Sequence, residues 1–345
     1  MSEGRALSLT AFLTLLLVGL MMGANHVAAR VAFGSGLDVA TAVAVRSGVT
    51  ALVVGLLIGF GRVTLVSLSS RQRKMLLLIG CLIGLQSQCL YSSVARLPVA
   101  LALLAFNTYP LFTALWDRVL YKNEPSRAMV LAMPVILMGL GLALDVLGAA
   151  SGLGASTQWA QMGAGVAFAL AAASSFGLAL ILTQHETQGL DGRWRTVFNM
   201  GTACVIALAV IGLHDGPHWP GSTAGWFGLA ALSFLYGTAF TIMFTVLPKF
   251  GAASYSAIMN VEPVCALALA WLLLGQSIAP VQVLGALMPP VNIEIGNKSY
   301  DSEKDSSQSD NFVKIVEGDI TQGVVDGDIY MKPSKGIIHV AYNDC

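Results

Sequence analysis

Nine apolar blocks of helix length divide this chain, and they restrict what it can fold into more than any other feature. They run at about Leu7–Ala29, Val39–Phe60, Met75–Val94, Val99–Leu120 and Met129–Leu147, then Met162–Thr183, Val197–Leu213, Trp226–Leu247 and Ala252–Leu274. At 1.5 Å per residue, each is long enough, or nearly so, to cross about 30 Å of hydrocarbon as a helix. Apolar residues make up 55% of the chain and charged residues 11%, against roughly 25% charged in a soluble protein. A chain so poor in charge cannot keep its surface dissolved in water. The expected fold class is an all-α polytopic membrane protein, because a helix satisfies its own backbone groups in lipid.

Charge sets the expected orientation. Arg62, Arg71, Arg73 and Lys74 lie between spans two and three, and Arg118, Lys122 and Arg127 lie around the exit of span four. Arg193 and Arg195 follow span six, and Lys249 follows span eight. The alternate connections are poor in basic residues: Gly148–Gln161 and His214–Gly225 have none, and those after spans one and three have only Arg30 and Arg96. Basic loops stay in the cytoplasm, so the expected arrangement is a cytoplasmic N-terminus in the inner membrane of a bacterial cell.

Inside this pattern lies a repeat. Asn-x-x-Pro interrupts an apolar run twice, at Asn107/Pro110 and at Asn260/Pro263, 153 residues apart. Gly36-Leu37-Asp38 and Gly189-Leu190-Asp191 share the same offset. A proline inside a helix removes one backbone donor and crowds the preceding turn, so both runs should break there. Five spans per repeat is an odd number, so the second copy enters the membrane from the opposite side. Such inverted repeats suit alternating access, and paired Pro-interrupted spans point to the central site. The expected domains are 1–147 (five spans), 148–287 (four spans and part of a tenth) and 288–345. The tenth span should occupy Gln282–Tyr300, but Pro289-Pro290 and the polar residues after it leave too short an apolar run to cross a bilayer. It reads as truncated or replaced.

The tail differs in kind. Residues 1–287 carry 14 Lys/Arg against 9 Asp/Glu, whereas residues 288–345 carry 5 against 10. Ser299–Asp310 has the composition of a disordered linker, and Phe312–Val316, Ile329–Met331 and Gly336–Ala341 read as short strands. With nine spans the tail would lie outside the cytoplasm.

Residues 1–287 resemble an EamA-type transporter of the drug/metabolite transporter superfamily. The resemblance rests on Gly23-Ala24-Asn25, Arg46, Asn107-Thr-Tyr-Pro110 with Glu124, and Val261-Glu262-Pro263 followed by Leu-Leu-Leu-Gly-Gln276. It implies ten helices in two inverted repeats and export or exchange of small metabolites or drugs. Gln276 and the altered tenth helix depart from the family pattern. The tail weakly resembles the opening strands of a macrodomain, through Val313–Ile320 and Gly336–Ala341, which would place Asp319 against adenine. Two alternatives therefore stand beside transport. One is a truncated or chimeric membrane protein that carries nothing, and the other a membrane anchor for an ADP-ribose-binding tail.

Candidate site residues follow from polarity inside apolar spans. Glu262 sits mid-span beside Pro263, where an unpaired carboxylate is costly, and it reads as a coupling or substrate-cation site with a proton as the candidate ion. Its structural alternative is a carboxylate bonded to amides at the helix break. Arg46 is also intramembrane; it could pair with Glu262, bind an anionic group, or merely pack helices. Asn25, His26, Gln88, Tyr91, Asn107, Tyr109, Tyr236 and Asn260 complete a polar set that could orient a small solute or stitch helices together. Pro110 and Pro263 are the expected hinges. Partners are a small solute and the lipid bilayer, and a homodimer is compatible with these features. The sequence has no Walker A motif, no supported enzyme constellation, no metal spacing and no basic stripe for nucleic acid, so neither an enzyme nor a cofactor is expected.

Overall fold

The computed structural model describes residues 9–61, 68–125, 155–187 and 190–245, helical residues between 130–138 and 262–275, and three short strands in the tail. The chain is an all-α polytopic membrane protein, with a small strand-bearing unit from Glu294 to Cys345. Among the described residues seven helical spans are long and apolar enough to cross a membrane. Expected spans five and nine fall where only some residues are described, and the tenth lies outside them.

The helices are α1 (Leu9–Gly34), α2 (Val39–Phe60), α3 (Ser70–Arg96), α4 (Val99–Phe106), α5 (Tyr109–Tyr121), α6 (Ala155–Glu186), α7 (Gly192–Leu213) and α8 (Thr223–Thr245). Several are longer than their apolar blocks. Arg30 lies within α1, Arg96 ends α3, and Arg193 and Arg195 lie in the first turn of α7 rather than in loops. Long basic side chains let a helix continue past the hydrocarbon edge, and a hydropathy block cannot register that continuation. Arg30 supports its own extension by donating to the carbonyls of Val94 and Ala95 near the end of α3.

Local sequence explains where the helices start. Asp38 caps α2, accepting from the Thr41 N–H at 2.9 Å. Asp191, its partner at the 153-residue offset, caps α7 by accepting from the Arg193 N–H at 2.8 Å. Ser69 and Gln72 form a capping box at the start of α3. Gly36 takes a φ of 93°, which L residues rarely adopt, in the turn that leads into the Asp38 cap.

The expected helix break at Asn107 is present. α4 ends at Phe106 and α5 begins at Tyr109 with Pro110 in its first turn. Pro110 has no N–H to donate, and the chain crosses the break with tighter three-residue bonds, Thr108 N–H to Ala105 and Leu111 N–H to Thr108. Its counterpart at Asn260 and Pro263 lies outside the described residues.

Packing is by small residues inside and large apolar residues outside. Leu52, Leu56, Phe60, Val205, Phe227 and Phe234 are exposed, whereas Ala29, Ala32, Ala42, Ala172, Ala203 and Ala239 are buried. Lipid tails solvate leucine as well as a protein core does, so close approach of backbones supplies the helix contacts instead. A Cβ added at Gly23 would lie 2.7 Å from the Ala266 backbone nitrogen, and one at Gly177 would lie 2.8 Å from that of Thr113. Gly80 and Gly84 meet Thr202 and Ala203 of α7. Gly55 and Gly59 have the same four-residue spacing, yet nothing lies within 4 Å of the added Cβ.

The pairing of spans has its own order. α1 packs on α8, α3 on α6, and α2 on α7, with further contacts of α3 on α7 and α2 on α8. Exchanging each span with the one five places along maps these pairs onto one another. Gly23 against Ala266 and Gly177 against Thr113 exchange in the same way, joining span one to nine and span six to four.

The tail unit is a three-stranded antiparallel meander, β1 (Gln322–Val325), β2 (Asp328–Met331) and β3 (Ile338–Val340), in that order. Two of the three expected strands match; Phe312–Val316 and Asp319 lie outside the described residues.

Candidate functional site

A buried polar cluster lies inside the bundle, built from the four helices α1, α2, α3 and α8. Arg46, eight residues into α2, is only 3% exposed. Its Nη1 donates to the Tyr91 hydroxyl at 3.0 Å, and its Nη2 donates to Ser87 Oγ at 2.9 Å. Ser87 and Tyr91 share one face of α3 because they are four residues apart. The Tyr91 hydroxyl accepts from Arg46 and passes its own proton to Asn25 Oδ1 of α1, 2.9 Å away. The Tyr236 ring from α8 lies 3.8 Å from the guanidinium carbon and the Tyr91 ring 4.6 Å. Asn25, Arg46 and Tyr91 are therefore one hydrogen-bonded chain, with Tyr236 against the cation by cation–π attraction.

A second pair lies one residue away on α1. His26 Nε2 is 3.1 Å from Glu262 Oε1, across 236 residues of sequence. His26 is buried and also meets the Tyr91 ring edge to face, with centroids 6.1 Å apart. The carboxylate keeps 17% exposure and is within electrostatic reach of the Tyr109 and Tyr236 phenols.

Of the partners left open for Arg46, Glu262 is not the one, because Glu262 takes His26 instead. Tyr91, Ser87 and Tyr236 hold Arg46 inside the bundle. His26, which sequence alone leaves as a lone helix-packing donor, is the direct partner of the strongest candidate.

Other predicted residues lie outside this bonded chain. Asn107 is half-buried at the α4–α5 break, and Pro110 is buried beside it. Tyr109 packs its ring against Phe106, tilted, and against Phe176, edge to face, at 5.6 and 5.2 Å between centroids. Gln88 is half-buried on α3, and its Nε2 has no hydrogen-bond partner among the described residues. Asn260 and Pro263 are outside the described residues. Trp116 of α5 donates its indole N–H to the Ser174 carbonyl of α6 at 3.2 Å and so joins two helices. Ser87 was missed altogether; its one sequence signal is the four-residue spacing from Tyr91.

The ends of the bundle are tied differently. Arg71 at the start of α3 makes a two-pronged bond to Glu186 at the end of α6, at 2.8 Å for each prong. Tyr121 of α5 donates to the same carboxylate at 3.0 Å, and its ring stacks on His185 at 3.8 Å. Asp117 faces His185 at 3.3 Å and accepts from Asn123, rather than forming the solvated pair with Arg118 that adjacency suggests. At the opposite end Asp38 accepts from the His218 N–H at 2.9 Å, and Ser35 accepts from the Gly221 N–H at 2.7 Å. Burial alone would raise the Asp38 carboxyl, but hydrogen bonds from Thr41, His218 and Ala40 outweigh it and hold the pKa below its usual value.

This arrangement belongs with a wider set of proteins. The chain matches the EamA-like transporter family in two stretches, residues 9–144 and 163–289. It is 25% identical over 226 residues to "Uncharacterized transporter sll1319" of Synechocystis sp. (strain ATCC 27184 / PCC 6803 / Kazusa), covering 63% of this chain. It spans 64% of that relative's length. A crystal structure titled "Crystal structure of protein" superposes with a TM-score of 0.53 at 19% identity, over 80% of this chain and 94% of the other, which is a likeness of fold. Two family matches that together span well over half of the sequence, on a bundle of membrane-crossing helices, make this chain a member of the EamA-like transporter family.

Proposed function

We propose that the chain is a secondary transporter that moves a small metabolite or drug-like solute by alternating access, with the Arg46 cluster and the His26–Glu262 pair lining its path. The observation that carries this reading is the His26–Glu262 pair. A carboxylate and an imidazole 3.1 Å apart inside a membrane bundle can share one proton, and the pair stays neutral whichever partner holds it. They also link span one to span nine, so any motion that separates those spans must re-price the proton. The α4–α5 break, and its sequence partner at Pro263, would supply the bending points.

Several observations support an inverted repeat. The span pairing maps onto itself when each span is exchanged with the one five places along. Asp38 and Asp191 cap equivalent helices, and the two family matches begin at residues 9 and 163, close to the 153-residue offset. Orientation follows the charge bias. The ends carrying Arg71, Tyr121 and Glu186 lie together, as do those carrying Arg30, Asp38 and His218, which fits a cytoplasmic N-terminus.

The test is solute accumulation in a bacterial strain lacking the gene, complemented with the wild-type chain or with Glu262→Gln. The wild type should change accumulation of at least one solute in a pH-dependent way, and Glu262→Gln should abolish that dependence. Unchanged transport with unchanged pH dependence would sink the coupling role.

A further inference from the structure

Two atoms left over around Arg46 share one chemical character. Among the described residues Arg46 Nε and Asn25 Nδ2 are both buried without a hydrogen-bond partner, and both are donors only. Acceptors in the cluster are already engaged: Asn25 Oδ1 takes the Tyr91 proton, and Tyr91 and Ser87 accept from Arg46. Tyr91 accepts from Arg46 and donates its single O–H to Asn25 Oδ1, so the amide oxygen and not the amide nitrogen faces the hydroxyl. Asn25 Nδ2 therefore has to look elsewhere.

The cation is equally unbalanced. Among the described residues no carboxylate lies within ion-pair distance of Arg46. Glu262, the carboxylate within a membrane span that could have served, is committed to His26. A buried guanidinium surrounded by hydroxyls and aromatic rings keeps its full charge and lacks a counter-ion, which is an expensive arrangement to keep for packing alone. The Tyr236 ring covers one face of the guanidinium at 3.8 Å, so an acceptor for Nε–H has to approach in the guanidinium plane.

We infer that the solute carried through this site bears a carboxylate, and that Arg46, with Asn25 beside it, is the group that receives it. The inference rests on the transport reading given above and names its substrate class. Unpaired N–H groups on two side chains that the Tyr91 hydroxyl bridges, one of them on a cation, are the donors that the two oxygens of a carboxylate take. One guanidinium also matches one negative charge. A phosphate dianion would bring a second charge into the membrane interior, where the described residues offer no further cation within the cluster.

The experiment uses the full chain, purified in detergent, and reads ligand-induced thermal stabilisation. The probes are lactate and phenylacetate, each against its neutral amide, lactamide and phenylacetamide. At least one carboxylate should bind about ten-fold or more tightly than its amide, the loss expected when a charged hydrogen-bond partner is removed. Arg46→Gln should lose that preference, and Arg46→Lys should retain part of it by keeping the charge without the planar fork. If Arg46→Gln does not fold, the wild-type ratio and Arg46→Lys carry the test. Equal response to acid and amide, no saturable response to either carboxylate, or a preference that survives in Arg46→Gln would each overturn the inference. Solute counterflow in proteoliposomes separates the two levels. Counterflow of neutral or cationic solutes with no carboxylate preference overturns the substrate class and leaves transport standing. Arg46-dependent carboxylate binding without counterflow of the same carboxylate supports the Arg46 assignment and overturns the transport reading.

Discussion

The centre of the bundle and its Arg71 end are built from the same residue types, arranged to opposite effect. At the end, Arg71 meets Glu186 directly through two bonds, Tyr121 completes the carboxylate, and His185 faces Asp117. In the centre, Arg46 meets hydroxyls and rings, while the carboxylate of Glu262 goes to His26. The Arg71 side chain is 75% exposed, so water and salt screen it and the pair contributes little to stability. Arg46 is buried, and its imbalance is not relieved by solvent. A structural cluster would be expected to neutralise itself where neutrality matters most. This one does so at the surface and not in the interior, which is the distribution a binding site needs.

The sharpest way to break this comparison is Glu262→Gln, which should eliminate pH-dependent transport while leaving the folded bundle intact. Solute accumulation measured across external pH, beside a size-exclusion profile, reads both. A packing control comes next. Gly23→Ala should destabilise by about 1–3 kcal/mol, because its methyl would collide with backbone at Ala266 that cannot step aside. Gly55→Ala, with open space around it, should be neutral or slightly stabilising; equal melting shifts for the two would contradict the described packing.

Tyr91→Phe should cost about 1–3 kcal/mol by stranding Asn25 Oδ1 and one Arg46 donor, and thermal unfolding in detergent would show it. Asp38→Ala should lose about 1 kcal/mol of helix capping at neutral pH. The wild-type carboxyl has a lowered folded pKa, so its contribution is full above its ordinary value of 3.8 and disappears as pH falls through the lowered one. Asp38→Asn retains a cap and should flatten that acid loss, as a melting series between neutral and acidic pH would record. Arg71→Ala should have the smallest effect, and what little there is should vanish in high salt. A large salt-insensitive loss there would erase the distinction between end and centre.

Much of this was legible in the residues. The helix break at Asn107 follows from Pro110, which has no N–H to give, and the cap at Asp38 follows from a carboxylate placed just before an apolar run. The interior location of Asn25, Arg46, Tyr91 and Glu262 follows from their positions within spans. Helix ends were less legible, since Arg30, Arg96 and Arg193 are polar letters that continue a helix beyond the lipid edge. Nor did four-residue glycine spacing separate Gly80, which meets Thr202, from Gly55, where an added Cβ meets nothing within 4 Å.

Sequence by itself determined that the chain crosses the membrane repeatedly, that it breaks a helix at Pro110, and which polar groups lie inside. Those are consequences of local chemistry and of the cost of placing polar groups in lipid. Partner choice was decided only in three dimensions. His26 and Glu262 are 236 residues apart, and nothing in the spacing says that the histidine rather than Arg46 receives the carboxylate. That depends on how α1, α2 and the helical residues around Glu262 are rotated against one another. Rotation is set by which small residues let backbones approach, and hence by contacts such as Gly23 against Ala266 rather than by any single helix.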